Sequence, residues 1–226
     1  FIEKRFAPFS RKKYSKFVDV WTEFMPEKII NPVHGVDEFT FDYILRHTLY
    51  RPRQILNHIY NIIKQWDESN TTNDKIHPNF IPKVVAKNNI IMATKVAEQL
   101  LVIYPNIISF LKSWQGSPTI IEARKCKEKI GKYFLNDHSV TDFSKIDKIF
   151  DELFDFGLFG IAVTNQTMPN NKRIEFKFAF VGDNINYLVH NFTGDNDLIA
   201  FSPMFREYCG CQASEYLIVP ISLDNF

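Results

Sequence analysis

Apolar residues recur at helical spacing along most of this chain. Tyr14, Phe17, Trp21 and Phe24 predict a first helix over 13–24, stopped by Pro26. Residues 26–38 read as a loop, punctuated by Asn31-Pro32 and Gly35. A short helix is expected over 39–47. A longer one begins at Pro52, where the missing proline N–H costs nothing, and carries the stripe Ile55, Leu56, Ile59, Ile62, Ile63 and Trp66. The polar stretch 67–73 interrupts the pattern. Four more helices are expected: over 83–104, from Pro105 to near Trp114, from a Ser117-Pro118 cap to Leu135, and over 142–156. Gly157 stands where a left-handed C-cap belongs.

The period then changes. Leu158–Thr164 reads as a strand and 165–171 as a turn. In 172–181, Ile174, Phe176, Phe178 and Phe180 lie on one face and Arg173, Glu175 and Lys177 on the other, the clearest strand signal in the chain. Further strands are expected over 187–190 and 198–201, and a last turn of helix over 204–208. The expected fold is mainly α with a small β-hairpin or sheet. Helices followed by a hairpin are the order of a winged-helix-like domain, placed over 76–226 after a helical segment over 1–75. The soft boundary lies between Asp67 and Pro82.

Composition bounds the function classes. The 226 residues fit one large or two small domains, and 22 phenylalanines supply a large core. The mean hydropathy of −0.19, with no apolar run of about 18 residues, indicates no membrane span. Cys126, Cys209 and Cys211 form no even-numbered disulfide framework, which fits a reduced, cytoplasmic setting. The 27 basic and 26 acidic residues give a net charge of +1, unlike a protein that coats nucleic acid over its whole surface. The chain opens on Phe1 with no signal-peptide pattern and is expected to be a piece of a longer polypeptide.

No phosphate-binding loop, nucleophile elbow, H-E-x-x-H or paired C-x-x-C is present, so no catalytic residue is assigned. Cys209-Gly210-Cys211 is the one close cysteine pair. Two thiolates do not complete a tetrahedral zinc site, and the spacing does not require His190 as a third ligand. The pair therefore reads as two ordinary semi-buried cysteines, and no metal is expected. The six histidines are scattered; His47 and His58, near an arginine-rich turn, are the two of interest.

That turn, Arg46-His47-Thr48-Leu49-Tyr50-Arg51-Pro52-Arg53, is the most specific feature. A guanidinium is a permanent planar fork of donors for phosphate or carboxylate. Arg51 and Arg53 flank a helix start, whose free N–H groups also favour anions. Structural salt bridges are the plainer reading.

The run F-T-F-D-Y-I-L-R-H-T-L-Y-R-P-R-Q-I-L-N-H-I-Y-N-I-I (39–63) resembles the end of the ATPase domain in bacterial P-loop ATPases related to AAA+ and STAND proteins. L-F-D-F-G-L-F-G-I-A-V (153–163) and D-L-I-A-F-S-P-M-F-R-E-Y (197–208) look like the winged-helix tail of that family, with Ser202 where the family tends to have His. The resemblance implies that residues 1–75 are the end of an ATPase core with its helical lid. It also implies that the ATP-binding core is an N-terminal domain absent from this chain, and that Arg51 or Arg53 senses the nucleotide phosphates. The chain itself would bind no cofactor and hydrolyse no ATP.

A winged helix invites a DNA-binding reading, but the helix over 142–156 carries five acids against two lysines and would be repelled by phosphates. Residues 1–16 and 122–132 are basic, at +5 and +3. Nucleic acid is therefore the alternative partner, held by Arg124, Lys125, Lys127, Lys129, Lys132, Lys172 and Arg173. Such runs are usually solvated helix faces, and docking on an acidic partner or the ATPase core is a third possibility. The expected function is a non-catalytic C-terminal regulatory or interaction module, for partner contact or self-association into a homo-oligomer.

Overall fold

The computed structural model of the protein describes residues 17–69, 75–135, 143–162, 173–179 and 197–220. About 54% of the described residues are helical and 16% are strand, so the mainly α expectation holds. Two compact units form, residues 1–88 and 89–226.

In the first unit, helix α1 (Phe17–Phe24) is followed by strands β1 (Lys28–Ile30) and β2 (Asp37–Phe39), then helices α2 (Thr40–Arg46) and α3 (Pro52–Glu68). The stretch expected to be a loop is thus a small antiparallel hairpin, with Lys28 opposite Phe39 and Ile30 opposite Asp37. Its punctuation was legible and its strands were not. Asn31 Oδ1 accepts the N–H groups of Val33 (2.9 Å) and His34 (3.2 Å), and Gly35 takes φ +65° to return the chain. Three-residue strands are too short to show alternation.

Helix α3 begins at Pro52 as expected and buries Ile55, Ile59 and Ile62. Each such side chain contributes roughly 1.5–3 kcal/mol by leaving water. The α2–α3 turn is held by its own polar groups. Thr48 Oγ donates to Leu45 O (2.6 Å), the Tyr50 N–H donates to Thr48 Oγ (3.0 Å), and the Leu49 N–H donates to Gln54 Oε1 (2.7 Å). Tyr50 sits there at φ +54°, unusual for a side chain of its size.

Helix α4 (Phe80–Leu100) contributes 80–88 to the first unit and 89–100 to the second. The second unit continues with α5 (Ile107–Lys112), β3 (Ile120–Glu122), α6 (Ala123–Phe134), α7 (Phe143–Asp155), β4 (Phe159–Ala162), β5 (Arg173–Lys177), β6 (Leu198–Phe201), a 3-10 turn (Pro203–Phe205), α8 (Arg206–Cys209) and β7 (Leu217–Pro220). Gly157 ends α7 at φ +78° with the Leu158 N–H donating to Leu153 O (3.1 Å), the left-handed cap expected.

The two strands of the expected hairpin pair antiparallel as β4 and β5, within a five-stranded sheet of order β3-β6-β4-β5-β7. All contacts in it are antiparallel except β5–β7, which run parallel. Two strands were not anticipated. β3 occupies the start of what was expected to be one helix from Ser117, because Ile120 and Ile121 pair with Ala200 and Ile199 of β6; α6 begins only at Ala123. β7 pairs with β5 from far along the chain. The turn over 165–171, the strand over 187–190, Lys172 and Phe180 lie outside the described residues.

The alternation in β5 is real: Phe176 and Phe178 are buried in a cluster with Ala200 and Ile218, while Glu175 is exposed. Gly160 of β4 is where they close in, since a Cβ there would lie 2.8 Å from Lys177 O and 2.9 Å from the Phe178 ring. Aromatic pairs fix the helices onto the sheet, Phe150 with Phe159 (4.6 Å between centroids) and Trp114 with Phe201 (5.1 Å). No helix among the described residues is long and apolar enough to cross a membrane.

Candidate functional site

The arginine-rich turn divides into an inner and an outer part. Arg46, on the last turn of α2, is buried. Its Nε donates to Glu38 Oε1 at 2.6 Å and its Nη2 to Glu38 Oε2 at 3.1 Å, and the Tyr43 ring lies 4.9 Å below it. Asn31 Nδ2 donates to the same carboxylate (3.0 Å). This bidentate pair ties α2 to the β1–β2 hairpin and leaves Arg46 unable to meet a ligand.

His47 and His58 also belong to the inner part. His58 Nε2 lies 3.3 Å from His47 O and its Nδ1 lies 3.1 Å from Asn88 Nδ2, which fits a neutral ring donating to the carbonyl and accepting from the amide. Burial holds the His58 pKa down at about 4, against a smaller opposing effect of the His47 carbonyl. His58 is thus a core histidine that links the α2–α3 turn to α4.

Arg51 and Arg53 form the outer part. Both are exposed, and neither has an ion-pair partner among the described residues. Arg51 is the N-cap of the 17-residue α3, with no side-chain capping bond and no acid in the first turn. Two uncompensated guanidinium groups thus stand at the positive end of a long helix, an arrangement that favours an anion.

The cations of α6 are held differently. Lys127 Nζ is 2.6 Å from Asp147 of α7. Lys129 lies over the Trp114 ring (4.0 Å) and donates to Ser113 O and Oγ. Arg124 faces Glu128 of its own helix (3.6 Å), and Lys125 faces the N-cap residue Glu122 (4.0 Å). Lys132 is exposed beside Tyr133 (5.6 Å). Arg173 opens β5, away in sequence from this helix. The five cations of α6 do not share one face: Lys127 points to α7 and Lys129 to the α5 end, while Arg124, Lys125 and Lys132 face solvent. No family model, curated protein or solved structure matches this chain.

Ser202 is fully buried at the start of the 3-10 turn, and its N–H donates to Leu158 O (2.9 Å). Its hydroxyl is enclosed with no hydrogen-bond partner among the described residues. Among the described residues, no three His, Cys, Asp or Glu side chains are grouped to hold a metal ion. Sequence reasoning passed over one group. Cys211 Sγ donates to Trp114 O (3.7 Å), next to the carbonyl that receives Lys129. The two come together across a long sequence separation, so only the C-G-C spacing signalled it.

Proposed function

We propose that this chain is a non-catalytic regulatory and interaction module of a larger P-loop ATPase, with a winged-helix-like second unit, and that Arg51 and Arg53 are its contact to an anion. The observation that carries the reading is that these two guanidinium groups stand exposed and unpaired at the start of α3, whereas Arg46 is consumed by Glu38. The anion is a nucleotide phosphate of the ATP-binding core, or a carboxylate of a partner or second copy at the same surface. The motif resemblance over 39–63 favours the phosphate.

Nucleic acid binding through α6 has weaker support, because Lys127 and Lys129 already have protein partners and α7 beside them is acidic. The test has two arms. Double-stranded DNA titrated against the chain across salt concentrations is expected to show no sub-micromolar binding; tight, steeply salt-dependent binding lost on neutralising Arg124, Lys125 and Lys132 would replace this reading with the nucleic-acid one. In the ATPase that carries the chain, Arg51→Ala with Arg53→Ala is expected to lower ATP hydrolysis at least about tenfold, the worth of one charge-assisted hydrogen bond. Unchanged hydrolysis and unchanged self-association would sink the proposal.

A further inference from the structure

Cys209 and Cys211 close the C-terminal end of α8 around Gly210, in a turn that chemistry can use. Gly210 is left-handed (φ +68°), and the Cys211 N–H donates to Arg206 O (3.0 Å), the capping bond that folds the chain back over the helix end. The Gly116 N–H holds Gly210 O (2.9 Å), and the Gln212 N–H holds Ser117 O (2.9 Å), so the turn is stitched to the segment after Trp114. A Cβ at position 210 would meet Gln115 at 3.2 Å, and the left-handed φ disfavours any side chain there.

The turn brings the two thiols into hydrogen-bond contact, Cys209 donating to Cys211. They are not equivalent. Cys209 is 1% exposed, whereas Cys211 is only partly buried. Around Cys211 stand the Lys129 ammonium, seated on the neighbouring carbonyl and the Trp114 ring, and the Arg206 guanidinium, itself held by Glu207. The bond from Cys209, then these cations, hold the Cys211 thiol below its usual range despite some burial. The same bond and burial push Cys209 up. Cys126, fully buried on α6, is pushed up by burial and is a built-in control.

We propose that Cys209 and Cys211 form a peroxide-responsive dithiol, in which Cys211 is the thiol oxidised and Cys209 is the partner that resolves it. The Cys211 thiolate attacks one peroxide oxygen. The S–O bond forms, the O–O bond breaks, and the departing hydroxide takes a proton to become water. Sulfur is oxidised by two electrons and the peroxide is reduced. The Cys209 sulfur then attacks the Cys211 sulfur. The S–S bond forms, the S–O bond breaks, and the hydroxyl leaves with the Cys209 thiol proton as a second water. The proposal is independent of the arginine surface.

The test treats the whole folded chain with hydrogen peroxide and maps the cysteines by mass spectrometry, with dimedone present to trap sulfenic acid. The wild type is expected to give a Cys209–Cys211 disulfide with Cys126 unmodified. Cys209→Ser is expected to accumulate the dimedone adduct at Cys211. Lys129→Gln is expected to slow Cys211 oxidation by about tenfold. Equal oxidation of all three cysteines would overturn the proposal, as would a Cys211 that reacts no faster than in the urea-denatured chain. Because that comparison needs only the wild type, a variant that fails to fold leaves the proposal testable.

Discussion

The turn between α2 and α3 and the helix α6 both gather arginines and lysines, and they hold them in opposite ways. In the turn, one guanidinium is buried in a bidentate pair with Glu38 and two stand outside with no acid beside them. In α6, the two cations nearest the core are taken by Asp147 and by Trp114 with Ser113, and two of the outer ones lean on Glu128 of the same helix and on its N-cap Glu122. A count of charges is therefore a poor guide to charge that a ligand can reach. α6 carries more of it, but the turn leaves more of it free per cation.

The largest expected effect that tests this contrast is at Arg46. Arg46→Met leaves the Glu38 carboxylate buried without its partner and is expected to cost about 3–5 kcal/mol in urea unfolding. Adding Glu38→Leu is expected to recover much of it. A loss under about 1 kcal/mol for Arg46→Met would mean the pair is a surface bridge like those of α6.

Next is the pH dependence of the turn's inner side. His58 is neutral in the fold, with its pKa at about 4 against an ordinary value of 6.5. The unfolded chain binds the extra proton between those values, so the stability due to neutral His58 is full above pH 6.5 and is lost as pH falls towards 4, by about 3 kcal/mol in all. His58→Gln should flatten that part of the stability–pH curve. An identical slope in the variant would show that other groups carry it.

Smaller effects belong to α6. Lys129→Met loses its two hydrogen bonds to Ser113 and its place on the indole, expected to cost about 1–2 kcal/mol. Lys127→Met should cost under about 1 kcal/mol, because Asp147 is half exposed. The smallest changes, within about 0.5 kcal/mol, are expected for Arg124→Gln, Lys125→Gln, Arg51→Ala and Arg53→Ala, which touch little. A thermal-unfolding series would rank them, and a large loss at Arg51 or Arg53 would mark them as structural and remove the main support for the proposed contact.

Much of the site was legible. Pro52 announced the start of α3, and that alone put Arg51 and Arg53 at a helix N-terminus. That Arg46 would face inward was not legible, because its partner Glu38 sits on a hairpin that the sequence presented as a loop. His58 drew interest only by its place near the arginines; its carbonyl and amide partners come from the α2–α3 turn and α4. The Cys209-Gly210-Cys211 spacing was visible, but not the lysine that stands over it.

The sequence by itself determined the long helices, the left-handed cap at Gly157, and the strands β4, β5 and β6. These are written in a period that repeats over several residues, because one-sided burial must recur every 3.6 or 2 positions. The tertiary structure decided the β1–β2 hairpin, the two further strands β3 and β7, which cations remain free, and the meeting of Lys129 with Cys211. Strands of three or four residues are too short to carry a period, and an ion pair or thiol contact between distant segments leaves no local trace; both exist only once the chain has closed the loops between them.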